Sequence, residues 1–522
     1  MDLSDHLRHG SLRLRPAGAD PYARVVKARA LVVSLAVVAA ACTSSSTSST
    51  SAPVPAPAEP IQLRVATLNI EYGGEVIDFD ATVEAALALD ADVIGIEEAW
   101  GNIPDLAAAM GYQHFDVRHH LVSRFPLLDP PRRSDAYLYV EVTPGHVVAV
   151  GNVHLPSSPY GPNLARAGKE AVEIFNTEQL VRIPAVEPFA KPLSDAATRG
   201  VPAFLVGDMN SPSHLDWTPD AVGTRPHVRF AMEWPVTTTI EALGFLDSFR
   251  EVHPDPVTDP GLTWPAARPK AEDSWNPGPN AAADRIDYVF HAGPSQTVDA
   301  QIAGERGVAD IVVTPWPTDH RGLVSTFTVT PAPMPALVSP VTRRVTLGTP
   351  AQIRVHAAGV ATGSVVVSST DGTVTATTAL DGTIDTTLPF DTTGWSGGAY
   401  EASLVDGAGE VIATAAFWAA PGDVASIVAP GSLAEGEPLD VSWVGAPGNR
   451  WDWIGIYRRG ADPNVDWYLT WAYTDATVGG SVTMDENAEG RWPLPGGDYT
   501  VHLLEDDGYT SLAKADFTIT PS

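Results

Sequence analysis

Between residues 61 and 330, a series of apolar runs ends at, or starts just after, a side chain able to bind a cation or move a proton. "VATLNIEYGG" passes through Asn69, "VIGIEEAW" reaches Glu97 and Glu98, and "FLVGDMN" closes on Asp208 and Asn210. "VVAVGNVHL" carries Asn152 and His154, "RIDYVFHAG" carries Asp287 near its start, and "TDHRGLVSTFTV" sets Asp319 and His320 before an apolar run. Singly, each has an ordinary explanation. Asp and Asn close turns by bonding their own backbone, and a histidine after a strand is usually a satisfied structural residue. Together they place acids, amides and two histidines at the ends of several strands. Carboxylates gathered at one sheet edge repel and need a cation, and a hard metal ion with oxygen ligands meets that need.

The elements that must position these residues are those of an α/β domain. "LRVATLNI" and "ADVIGIEE" read as strands, and Ala203 to Val206 as a short buried strand. Between the first two, "DATVEAALALD" sets Val83, Ala86 and Leu87 on one helical face, with Asp80 as the expected N-cap. This alternation spans 61–330. A proline-rich linker, "TPAPMP" (330–335), follows. Beyond it, short Val/Thr-rich runs separated by Asp-Gly and Gly-Gly turns read as β-sandwich. "GGAYEASLVDGAGEVIATAAF" (397–417) is echoed by "GGDYTVHLLEDDGYTSLAKADF" (496–517). The offset is about the size of an immunoglobulin-type domain. Two sandwiches are expected, 336–421 and 422–522, meeting near "APGD" (420–423).

The formal net charge of −31 argues against high-affinity nucleic-acid binding, which draws on phosphates neutralised by Lys and Arg. A single cysteine, Cys42, excludes an intrachain disulfide. In "VVKARALVVSLAVVAAAC", basic residues precede an apolar run too short to span a bilayer comfortably, and Cys42 closes it. The stretch resembles a bacterial lipoprotein signal, although Ala39 stands where a larger aliphatic residue is usual. Residues 1–42 are thus expected to be an export segment and 43–60 a Ser/Thr/Pro-rich tether. That implies an extracytoplasmic protein, anchored in the membrane through lipidated Cys42 or secreted.

Taken in order, the strand-end motifs resemble those of the endonuclease/exonuclease/phosphatase superfamily, which includes deoxyribonucleases, sphingomyelinases and inositol-phosphate phosphatases. "GFLDSFREVHPDP" and "GLTWP" also resemble the family's segment between "GDMNS" and "RIDYVF". The resemblance covers roughly 62–330. It implies two packed β-sheets flanked by helices, a four-layer sandwich, and hydrolysis of phosphate esters with Mg2+ or Mn2+. By resemblance, Glu98 holds the metal with Asn69, and Asp319 binds or supports it. Asp208 orients or deprotonates the attacking water, and Asn210 donates to the phosphate. His320, its tautomer fixed by Asp287, contacts a phosphoryl oxygen or moves a proton. His154 serves as a second donor or as general acid toward the leaving group.

The chain departs from the family where Glu97 replaces the usual Gln before the metal glutamate. Glu98 is favoured as ligand, and Glu97 is expected to face the other way. Tyr160 in "PYGPN" is read as a pocket wall, and His119, His120 and His253 as structural. Sparse Lys and Arg favour a phosphorylated small-molecule or lipid substrate, and the enzyme is expected to be a monomer. An extracellular DNase-like endonuclease and a non-catalytic surface binding protein stand as alternatives. In the last sandwich "RWDWIGIYRRG" (450–460) loosely resembles the SKICH type. Its Trp and Arg either face a partner or pack along a strand, and packing is favoured. The middle sandwich reads as a spacer.

Overall fold

The computed structural model of the 522-residue chain describes residues 58–132, 134–271, 276–278, 281–370, 375–422 and 424–521. The expected export segment, Cys42 and most of the tether lie outside the described residues. Among the described residues, no helix is long and apolar enough to cross a membrane.

The strand Ile61–Asn69 lies inside a seven-stranded sheet and is almost wholly buried from Leu63 onward. It runs parallel to Val93–Glu97, with Asn69 opposite Glu97, and antiparallel to Gly322–Val329. The second sheet orders its strands Leu127–Leu128, Leu138–Thr143, His146–His154, Ala203–Asp208, Asp287–Ala292 and Leu246–Asp247, with Ala332–Pro333 added beside His146–His154. The two sheets pack through Leu63, Val65, Val150, Phe204, Val206 and Phe327. They approach so closely that a Cβ on Gly95 would stand 2.6 Å from the Val206 side chain.

Helices cover the outer faces. Phe79–Ala88 and Ile103–Met110 bury Val83, Ala86 and Leu106 against the first sheet, and Ile183–Thr198 buries Val186 and Leu193 against the second. The expected four-layer α/β sandwich is therefore present. The first helix begins two residues earlier than the sequence suggests. Asp78 is its N-cap, its carboxylate accepting from the Asp80 N–H at 3.1 Å, so Asp80 occupies the first turn.

Two β-sandwiches follow. The first pairs a three-stranded sheet (Leu337–Pro340, Ala351–His356, Asp385–Phe390) with a five-stranded one, and the second pairs three strands with six. The sequence echo is a structural repeat. Tyr400 donates to Ser396 O at 2.8 Å and stacks on Phe417; Tyr499 donates to Pro495 O at 2.6 Å and stacks on Phe517. Each pair sits on a hairpin, Gly398–Asp406 with Val411–Ala420 and Gly497–Leu504 with Ser511–Thr520. A tyrosine bonded back to an upstream carbonyl pins the corner where the chain enters a strand. In the second sandwich, Trp453 and Tyr457 are buried on one face of their strand, and Ile454 and Ile456 fill the core on the other.

Both sandwiches dock on the α/β domain. Arg343 bridges Asp116 at 2.7 Å and Asp129 at 2.9 Å, and Arg354 reaches Glu141 at 2.8 Å. From the second sandwich, Arg450 donates to Asn152 O at 2.8 Å and lies over the Phe189 ring.

Candidate active site

Strand register builds one wall of the site. In the second sheet His154 pairs with Asp208 across a parallel ladder, and Asp208 pairs with Asp287 across an antiparallel one. Three adjacent strands thus carry His154, Asp208 and Asp287 in one row. Gly207 sits just before Asp208 at φ 133°, where a Cβ would lie 1.9 Å from Val153 O. Only glycine fits there, so the Gly of "GDMN" is part of how the acid is presented.

The first sheet supplies the opposite wall. Asn69 Nδ2 donates to Glu98 Oε1 at 3.1 Å and to Asp208 Oδ2 at 3.2 Å, joining the two sheets. The Tyr72 N–H donates to Glu98 Oε2 at 3.2 Å. Glu97 turns to Thr67 Oγ1, at 3.1 and 3.0 Å from its two oxygens. Burial, with Asp287 and Asp208 adding repulsion, pushes its carboxyl well up. Glu98, and not Glu97, is held by Asn69.

Asp319 and His320 enter between the walls. His320 Nδ1 lies 3.1 Å from both oxygens of Asp287, and its Nε2 is 3.7 Å from Asp208 and 3.9 Å from Asp319. Burial alone would lower the imidazole, but the surrounding carboxylates override it and raise its pKa well above the ordinary histidine value. His154 Nε2 stands 3.6 Å from Asp208 Oδ2, on a side chain still 25% exposed, and burial draws its pKa down. Asp208 is 1% exposed, and burial with the nearby Asp287 raises it to about 6. Asn210, at φ 46°, places its amide nitrogen on Leu155 O (3.0 Å) and Asp208 (3.2 Å), while its backbone N–H binds Asp208 at 2.8 Å.

All eight residues picked out by sequence thus converge on one cluster. Two unpredicted residues brace it. Glu71 takes both forks of Arg268 at 2.5 Å and receives the Asp319 N–H at 3.0 Å. Burial, then Asp319, raises Glu71 to about 7. Its place in "NIEYGG" was the available signal; its partner lies 197 residues away. The segment "SPSHLDW" (211–217) also acquires a role. Asp216 receives Arg250 at 2.6 Å and Arg285 at 3.0 Å, and Trp217 donates to Asp284 at 2.9 Å. These buried bonds fix the approach to Asp287. Tyr160 packs edge-on to Trp264, whose indole donates to Asp319 at 3.0 Å, consistent with a wall. His119 is bonded to Asp116 and His253 to Ala300 O, both outside the cluster.

The donor set fits a divalent cation. Glu98, Asp208, Asp287 and Asp319 are gathered with two imidazoles, and burial and mutual repulsion hold Glu98 and Asp208 above the ordinary carboxylate range. Ligand atoms of Asp208, Asp287 and His320 all lie within 4.8 Å of one another. Within that trio the His320 Nδ1 is already committed to Asp287. The trio is therefore arranged to hold and move a proton, with Glu98, Asn69 and Asp319 lying beside it.

Two facing sheets with helices outside thus carry a carboxylate–histidine cluster at one shared edge. Residues 66–320 match the model of the Endonuclease/Exonuclease/phosphatase family, whose members generally hydrolyse phosphate esters and commonly use divalent metals. The chain is similar to Uncharacterized protein F14F9.5 of Caenorhabditis elegans, 26% identical over 296 residues, which cover 51% of this chain and 91% of that protein. Among solved structures it is similar to the BSP domain of a biofilm associated protein (14% identity, TM-score 0.15), covering 35% of this chain and less than a third, 30%, of that one. It is also similar to the fibronectin(III)-like modules of Clostridium thermocellum CbhA (12% identity, TM-score 0.13), covering 35% of this chain and 94% of that one. At such scores neither likeness adds to the fold described above.

Proposed function

We propose that the protein is an exported, divalent-metal-dependent phosphoesterase acting on a phosphorylated small molecule or lipid, held at the outer face of the cell membrane through lipidated Cys42 or secreted. The observation that carries the hydrolytic reading is the row His154–Asp208–Asp287 with His320 bonded to Asp287, facing Glu98 and Asn69.

Glu98, Asn69 and Asp319 would hold Mg2+ or Mn2+, which when bound neutralises phosphoryl charge and stabilises the leaving oxygen. Asp208 lies between two imidazoles and is oriented by Asn69 and Asn210, so it can take a proton from an attacking water. His320, kept protonated by Asp287 and Asp208, donates from Nε2 to a phosphoryl oxygen. His154, at the more open side, is placed to protonate the departing oxygen.

Charge supports the substrate class. Arg268, Arg285 and Arg321, which flank the cluster, are bound to Glu71, to Asp216 and Asp247, and to Glu305. Committed in this way, they offer little to a polyanion. The experiment is hydrolysis of bis(p-nitrophenyl) phosphate, p-nitrophenyl phosphate, sphingomyelin and plasmid DNA, with Mg2+, with Mn2+ and with EDTA. Turnover of a small or lipid ester that EDTA abolishes, and that Asp208→Ala lowers by about a thousandfold or more, is expected. Turnover of DNA alone would favour the nuclease, and no turnover of any substrate would end the enzyme reading.

A further inference from the structure

The loop that presents Glu98 is backbone-strained. Glu98, Trp100 and Gly101 have φ of 55°, 48° and 89°, and the facing Glu71 and Tyr72 have φ of 54° and 49°. Non-glycine residues held at positive φ cost on the order of 1 kcal/mol or more each, and persist only where surrounding contacts impose them. Some contacts are local: Gly73 N–H to Glu98 O at 2.7 Å, and Asn102 Nδ2 to Gly73 O at 2.8 Å.

The rest come from the C-terminal sandwich. Asp506, in the turn between its two long strands, accepts the Gly101 N–H at 2.8 Å on one oxygen and His120 Nε2 at 3.0 Å on the other. The two side chains are 0% and 5% exposed. His120 O in turn accepts the Ile96 N–H at 3.0 Å, two residues before Glu98. One buried carboxylate therefore grips the Glu98 strand end from both sides. Its own position is set by Asp452, whose Oδ1 accepts the Asp506 N–H at 3.1 Å. The fit around the grip is close. A Cβ on Gly101 would stand 2.6 Å from the Glu505 side chain, and Trp100 meets Tyr509 edge-on at 6.1 Å while touching Tyr72 at 4.9 Å.

We propose that Asp506 is a positioning residue for the Glu98 carboxylate, so that the C-terminal sandwich is a working part of the active site. This rests on the phosphoesterase reading above, in which Glu98 faces the cation. Loss of the Asp506 acceptor frees Gly101 and His120 together. The strained loop relaxes, and Glu98 leaves the geometry in which Asn69 and the Tyr72 N–H hold it. Asp506 makes no contact with substrate or metal; it acts through the loop.

The test uses the full chain with Asp506→Ala, Asp506→Asn and a control, Ile519→Ala. Ile519 is 2% exposed in the same sandwich's core, and its loss destabilises that domain without touching the turn. Three quantities are read: Mn2+ affinity by calorimetry, the thermal midpoint, and kcat and KM on bis(p-nitrophenyl) phosphate. Asp506→Ala is expected to weaken Mn2+ by about tenfold or more, the size found when a residue supporting a metal ligand is removed. Asp506→Asn, which keeps the shape and one acceptor, falls between, and carries the test if the alanine variant does not fold. Ile519→Ala is expected to lower the midpoint yet keep Mn2+ affinity near wild type. Mn2+ affinity unchanged in both Asp506 variants, or lost equally in Ile519→Ala, overturns the proposal. A wild-type chain that binds Mn2+ but hydrolyses nothing overturns the functional reading alone; one that binds no Mn2+ overturns both.

Discussion

His320 directs Nδ1 at both carboxylate oxygens of Asp287, 3.1 Å from each, and leaves Nε2 facing Asp208 at 3.7 Å. The pairing fixes which nitrogen carries the outward proton. Asp287→Asn preserves the shape but can turn an N–H toward the ring and reverse the tautomer. We expect kcat to fall by about a thousandfold, with KM little changed. Steady-state kinetics on the best substrate of the panel checks this, and a fall of only a few-fold would remove Asp287 from that role.

Glu71 and Arg268 form a forked ion pair with both side chains 2% exposed. Removing one partner leaves a buried charge alone. Arg268→Met is expected to cost about 3–5 kcal/mol, read as a lower urea midpoint. The double variant Arg268→Met/Glu71→Leu should recover part of that loss. If the single variant is as stable as wild type, the pair is not the brace described here.

Metal should stabilise the fold as well as the reaction. With Mn2+ at about a hundred times its Kd, linkage gives about 2.7 kcal/mol, a rise of a few degrees in Tm. Glu98→Gln should abolish most of the rise. Identical melting curves in Mn2+ and in EDTA would show that the cluster does not bind the ion.

His502 provides a pH test away from the cluster. It is 3% exposed, bonded to Ser511 Oγ at 2.8 Å, and burial with the Lys514 ammonium nearby pulls its pKa down to about 4. A depressed histidine is neutral in the folded chain while the unfolded chain still takes up a proton below about 6.5. Its contribution to stability is therefore complete above about pH 6.5 and is lost as pH falls toward 4. We expect a loss on the order of 1–2 kcal/mol across that window, with a flatter profile in His502→Gln. Urea midpoints at pH 7, 5.5 and 4.5 measure it, and parallel profiles for the two proteins would refute the assignment.

The strand-end residues were legible because each sits in a short local pattern that says where its strand stops. Asn69, Glu98, Asp208 and Asp287 needed only that pattern and a family order. The supporting contacts were not legible, for a physical reason. Glu71 with Arg268, Asp216 with Arg285, and Gly101 with Asp506 join positions 197, 69 and 405 residues apart. Such pairs are set by how sheets and domains dock, and docking leaves no periodic trace. The N-cap was misjudged by two residues because Asp78 and Asp80 are equally good caps by type, and only the backbone angles of Asp78 decide between them.

The matched tyrosine corners have a consequence of another kind. Tyr400 and Tyr499 stand 99 residues apart, and Phe417 and Phe517 stand 100 apart, so the second hairpin is one residue longer than the first. In the first copy the turn after Asp406 is exposed, and the Asp406 carboxylate accepts the N–H groups of Ala408 and Glu410 within that turn. In the second, the turn after Leu504 is longer and buried against the α/β domain. A module present twice can carry different turns on the same corner, because the corner that holds each sandwich together is untouched by the change. Exchanging the two turns would take the docking contact away and leave both corners in place.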